Sequence, residues 1–156
     1  MNTQNILSIY QLIEKPDLDK HEDVQWWMLR AEEDLFCALF LVRHARGYLP
    51  LNNICYLLHQ SLEKWLKIYL AMNGSEFEFT HDLGYLLNVA TRLDLSFHTI
   101  YCMLAPHGEV ILDKRASSRN MRYGAGNGLD EALDTLIRAN FHTRRKVKRF
   151  LKVEVL

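Results

Sequence analysis

The chain has 156 residues, 49% of them hydrophobic and 24% charged, with 19 basic and 19 acidic side chains and no formal net charge. That is about one domain's worth of an ordinary soluble globular protein, able to bury roughly two-thirds of its unfolded surface. The longest apolar run, Leu35 to Val42, is far short of the ~20 residues that span a bilayer, and no basic segment followed by an apolar core opens the chain. Neither a membrane segment nor a secretory signal is therefore expected.

Only three prolines and seven glycines interrupt the chain, which favours helices over strands. Residues 1–20 carry a short apolar pattern (Ile6, Leu7, Ile9, Tyr10, Leu12, Ile13) broken at Lys15-Pro16-Asp17, and are expected to be a partner-binding arm or a short helix packed on the domain; the domain proper is expected at 21–156. From His21 to Arg46, Val24, Trp27, Ala31, Leu35, Ala38, Val42 and Ala45 recur at steps of three and four, the signature of a helix with one buried face. Trp26 and Trp27 are neighbours, so both indoles cannot enter one core; one is expected to cover a partner surface.

Gly47-Tyr48-Leu49-Pro50 ends that helix, and Asn52 or Asn53 is a candidate cap for the next, which runs to Met72. Its stripe is Ile54, Leu58, Leu62, Trp65, Tyr69 and Met72, flanked by His59, Glu63, Lys64 and Lys67. Asn73-Gly74 suits a left-handed helix end, and Thr80 is placed to cap a helix from Asp82 to about Leu93. Ser96 to Leu104 reads as a short helix stopped by Ala105-Pro106-His107-Gly108. Residues 109–128 read as irregular.

A last helix from Leu129 to Leu151, with Asn127 as cap, is expected to bury Leu133, Leu136, Ile137, Asn140, Phe141, Val147 and Phe150. The result is an all-α, up-and-down bundle of four to five helices. Cys37, Cys55 and Cys102 all fall in apolar helical patterns, without metal-ligand spacing. They read as buried, reduced thiols of a cytoplasmic protein with no structural metal. The seven histidines do not form the inward Glu-x-x-His pairs of a di-iron bundle, and no cofactor is expected.

Charge is unevenly spread. Residues 1–36 hold eight acids against three bases, whereas residues 113–149 hold ten bases against four acids. An anionic ligand near the C-terminal part, or attraction between the two regions, would each use that asymmetry. Lys114, Arg115, Arg119, Arg122 and Tyr123 precede Gly124-Ala125-Gly126-Asn127-Gly128, where backbone N–H groups at a helix start and nearby guanidiniums can hold a phosphate. The same glycines equally serve a plain connection. Asp34 and His59 are expected to form one buried polar pair.

Gln60, Glu63, Lys64, Leu66 and Lys67, followed by His81-Asp82-Leu83, resemble the HEPN domain, whose central helix has the form Gln-x-x-Glu-Lys-x-Leu-Lys before a His-Asp-Leu. Trp27, Ala31, Asp34, Leu35 and Ala38 are similar to the family's preceding helix. Arg122-Tyr123 resembles its late Arg-Tyr, with Gly124 where Pro is common. The resemblance covers roughly residues 22–150 and implies the same bundle, a homodimer, and a nucleotide or RNA ligand. It also implies a partner nucleotidyltransferase in a toxin–antitoxin or stress module.

Members that cut RNA use an Arg and a His separated by four to six residues late in the fold, one holding phosphate and the other moving a proton. Arg138 and His142 are separated by three, with Ala139 where a polar residue is usual, yet still share a helical face. They are the candidate catalytic pair. Lys114, Arg115, Arg119, Arg122, Tyr123, Lys64, Lys67 and His81 are the candidate ligand contacts. Besides the binding domain and the metal-independent ribonuclease, a purely structural interaction module fits the same residues.

Overall fold

Apolar spacing of three and four becomes helix throughout the part of the chain that a computed structural model describes, residues 22–78, 80–112 and 129–151. The elements are α1 (Glu22–His44), α2 (Leu51–Met72), α3 (Leu83–Leu93), α4 (Phe97–Leu104), a 3-10 turn (Ala105–His107) leading into α5 (Gly108–Ile111), and α6 (Leu129–Phe150). No strand occurs among the described residues. The fold is the all-α bundle expected from the sequence. Residues 1–20, expected to be an arm or short helix, and residues 113–128 lie outside the described residues.

α2 is the central element and packs on α1, α3 and α6, while α4 packs on α3 and α6. Ile54, Leu58, Leu62 and Trp65 are fully enclosed, and so are Cys55, Leu66 and Leu70 on other sides of the same helix. Each such side chain contributes roughly 1.5–3 kcal/mol by leaving water. Trp27 meets Lys67 near the start of α1 and the end of α2, and the Ser61 hydroxyl donates to the Ala31 carbonyl further along, so these helices are antiparallel. Asn140 reaches Leu58 and Phe150 reaches Tyr69 with almost the same offset in sequence, so α6 runs parallel to α2.

Local chemistry moved several boundaries. α2 begins at Leu51, with the Pro50 carbonyl accepting from Ile54 N, so Asn52 and Asn53 lie within its first turn instead of capping it. Its end matches expectation: Gly74 has φ +63°, and Ser75 N and Gly74 N donate to the carbonyls of Leu70 and Ala71, a Schellman closure. Asp82, not Thr80, caps α3. Its extended backbone lets Oδ1 accept from Tyr85 N at 2.9 Å, while Thr80 Oγ1 accepts from Asp82 N. Pro106 does not end the helical run, because a 3-10 turn tolerates its missing N–H; helix resumes at Gly108.

α6 is rotated relative to the expected face. Leu136, Asn140 and Val147 are buried and Leu133 and Ile137 half-buried, but Phe141 and Phe150 are 39% and 46% exposed. Ala132, Ala139, Thr143, Arg144 and Lys148 take the inward positions. Small residues let α6 approach α2 closely, and a carboxylate on α1 draws the two cations inward. The thiols divide as well: Cys55 is enclosed, whereas Cys37 and Cys102 are exposed, and none of the three is disulfide-bonded.

Candidate functional site

Positions 59, 63 and 67 of α2 share one flank, four residues apart, and the turn before α3 brings His81 against them. Glu63 is 3% exposed. Its Oε1 accepts from Lys67 Nζ at 2.7 Å, and both its oxygens lie 3.0 Å from His81 Nδ1. Lys67 is itself buried, its ammonium 5.5 Å from the centre of the Trp27 ring. His81 is 59% exposed. A carboxylate on Nδ1 orients the imidazole and leaves its far edge toward water.

His59 is fully enclosed beside this group, its Nδ1 4.0 Å from Glu63 Oε2, with the Ile111 backbone approaching the ring without meeting hydrogen-bond geometry. Burial drives its pKa down to about 4, against the opposing pull of Glu63. The expected Asp34–His59 pair is not formed. Asp34 binds Lys64 Nζ at 2.7 Å across α1 and α2, and burial nevertheless holds the Asp34 carboxyl above its usual range. The two groups meet different flanks of α2: His59 shares that of Glu63 and faces Ile111, whereas Asp34 meets the flank that carries Lys64.

A second buried cluster joins α1 to α6. Both Glu32 oxygens accept from Arg144 Nε at 2.9 Å, and Lys148 Nζ binds Oε1. All three side chains are under a tenth exposed. Desolvation lowers the Lys148 pKa, against the pull of Glu32. Lys146 is also committed, to Asp94 at 2.7 Å, and that bond with those from Ser96 holds the Asp94 carboxyl down at about 2.

These pairings sort the cations of α6 by face. Arg144, Lys146 and Lys148 are held by carboxylates, whereas Arg138, Phe141, His142, Arg145 and Arg149 are exposed. Steps of four, three and four from Arg138 to Arg149 make one outward stripe, about 16 Å long at the helical rise. Arg138 Nε bonds Asp134 at 2.8 Å, an exposed pair that a competing anion displaces at little cost. Arg145 and Arg149 have no ion pair among the described residues.

A family model described as the HEPN domain matches residues 24–139, most of the chain and all of α1 to α4 apart from the first two residues of α1. The chain belongs to the HEPN domain family. No curated protein and no solved structure matches it. At family level this is a helical domain associated with nucleotides or RNA.

The sequence-derived contacts of this HEPN domain separate into three places. Lys64 and Lys67 have their ammonium groups on Asp34 and Glu63, with His81 sharing the same carboxylate as Lys67. Arg138 and His142 lie one turn apart on the outward side of α6. Lys114, Arg115, Arg119, Arg122 and Tyr123 lie outside the described residues. Among the described residues no group of three or more His, Cys, Asp or Glu side chains could hold a metal ion, and no helix is long and apolar enough to cross a membrane. Arg145 and Arg149 are not among the contacts expected from the sequence. The signal that finds them is their spacing from Arg138 and His142.

Proposed function

We propose that this HEPN domain binds single-stranded RNA along the outward stripe of α6, working as a homodimer beside a nucleotidyltransferase partner. One observation carries the binding reading. The same helix that spends three cations on internal carboxylates leaves Arg138, Arg145 and Arg149 outward in a line, with Phe141 beside them. Guanidiniums in register with an aromatic ring suit a phosphate backbone with bases able to stack. The exposed side of α1 supports the dimer, with Trp26 54% and Phe40 48% exposed. The partner enzyme rests on the family resemblance.

Polarisation of a labelled RNA oligonucleotide tests the reading. Arg145→Ala with Arg149→Ala weakens binding and lowers the salt slope by about 1.4, at about 0.7 for each phosphate no longer neutralised. An unchanged slope refutes it, and leaves the pure interaction module. A second reading, ribonuclease, is favoured by one observation: Arg138 and His142 sit together on this stripe. RNA cleavage that survives chelation and disappears in His142→Ala supports it; an intact substrate rejects it.

A further inference from the structure

Between α3 and the run from α4 to α5 lies a groove of about 620 Å³, inside the size range of small-molecule sites. Asp82, Tyr85 and Asn88 line one wall at three-residue steps, and Tyr101 and Gly108 line the other. Gly84 keeps the first wall thin. A Cβ there would come 3.2 Å from Asp82 Oδ1 and 3.6 Å from the Leu112 carbonyl. Glycine inside a helix weakens it, and here it leaves both the cap and the groove intact.

The Tyr85 hydroxyl accepts from Glu78 N at 3.0 Å, and the Tyr101 ring lies nearly parallel to His98, 11° between planes. Asp82 uses Oδ1 to cap α3, which leaves Oδ2 as a charged acceptor. Asn88 is exposed and offers an amide. Among the described lining residues there is a carboxylate, an amide and two phenol rings, but no Lys or Arg.

Charge decides the ligand class. Among the described lining residues a phosphate finds no cation and meets the Asp82 carboxylate, which disfavours the anions that the α6 stripe attracts. An ammonium group finds a carboxylate, two phenol rings able to make cation–π contact, and the Asn88 side-chain carbonyl as acceptor. We propose that this groove binds an organic cation, an alkylammonium such as a polyamine, independently of any RNA on α6.

Amide NMR of the full chain tests it, with tetramethylammonium chloride and spermidine as probes against sodium chloride at equal ionic strength. The expected result is saturable shifts at Gly84, Asn88 and Gly108. Asp82→Asn keeps the capping oxygen and removes the charge; it and Tyr101→Leu each weaken binding roughly two- to fivefold. Arg145→Ala with Arg149→Ala leaves the shifts unchanged. Shifts no different from those in sodium chloride overturn the proposal. So do wild-type affinities in Asp82→Asn and Tyr101→Leu, or tighter saturation of the same amides by uncharged adenosine.

Discussion

Glu32→Gln isolates the cluster that ties α1 to α6. The substitution preserves shape and one acceptor oxygen but removes the only carboxylate described between Arg144 and Lys148. All three side chains are nearly out of water, so two cations are left facing each other in a poorly screened space. Stranding a buried charge costs about 3–5 kcal/mol, and the retained amide hydrogen bond returns about 1. A net loss of about 2–4 kcal/mol is therefore expected, a large share of a total stability of about 5–15. It corresponds to roughly 5–15 °C in Tm for a chain of this size. Urea unfolding followed by the helical circular dichroism signal measures it, with an unchanged m value expected. Adding Lys148→Met to Glu32→Gln should restore part of the loss, because it removes an ammonium whose pKa burial already depresses. A loss below about 1 kcal/mol, the level of an exposed ion pair, refutes the reasoning.

His59 sets an acid limit. Its pKa is 6.5 in the unfolded chain and about 4 in the fold, so between those values the unfolded chain binds more protons. Stability then falls as pH drops through that window, by about 3 kcal/mol in all, and His59→Leu should flatten that part of the profile. An identical slope in the variant contradicts it. Asp82→Ala removes the α3 cap and should cost about 1 kcal/mol in the same urea assay, with Asp82→Asn close to wild type. The thiols should alkylate in the order Cys102, Cys37, Cys55, read by mass spectrometry. Cys102 Sγ lies 3.3 Å from His98 Nε2, the Cys37 thiol is pushed up by partial burial and by Asp34 and Glu33, and burial pushes Cys55 up to about 12. Early modification of Cys55 refutes the order.

The bundle was legible because α1 and α2 repeat apolar residues so regularly that only one helical face can be buried. Gly74 was legible for a similar reason, since a residue free to adopt positive φ sat where the pattern stopped. α6 was harder. Phe141 and Phe150 looked like core by hydrophobicity alone, yet Arg144 and Lys148 went inward because Glu32, 112 positions away from Arg144, supplied the compensating charge. No local pattern carries that information. Glu63 shows the same limit: its spacing to Lys67 was visible, but the approach of His81 from beyond Gly74 depends on the turn into α3. The groove depends on packing between α3 and α4 and had no sequence signal beyond a glycine inside a helix.

The three tryptophans occupy three different environments: Trp65 sealed in α2, Trp27 half-buried beneath an ammonium group, and Trp26 in water beneath the Arg30 guanidinium. Their fluorescence therefore divides by location. Emission from Trp65 follows opening of the bundle's centre, that of Trp27 follows the charge on Lys67, and that of Trp26 is insensitive to core packing but exposed to whatever docks on α1. Variants that each keep one indole, the other two replaced by Phe, would separate unfolding, local rearrangement and association without any attached label.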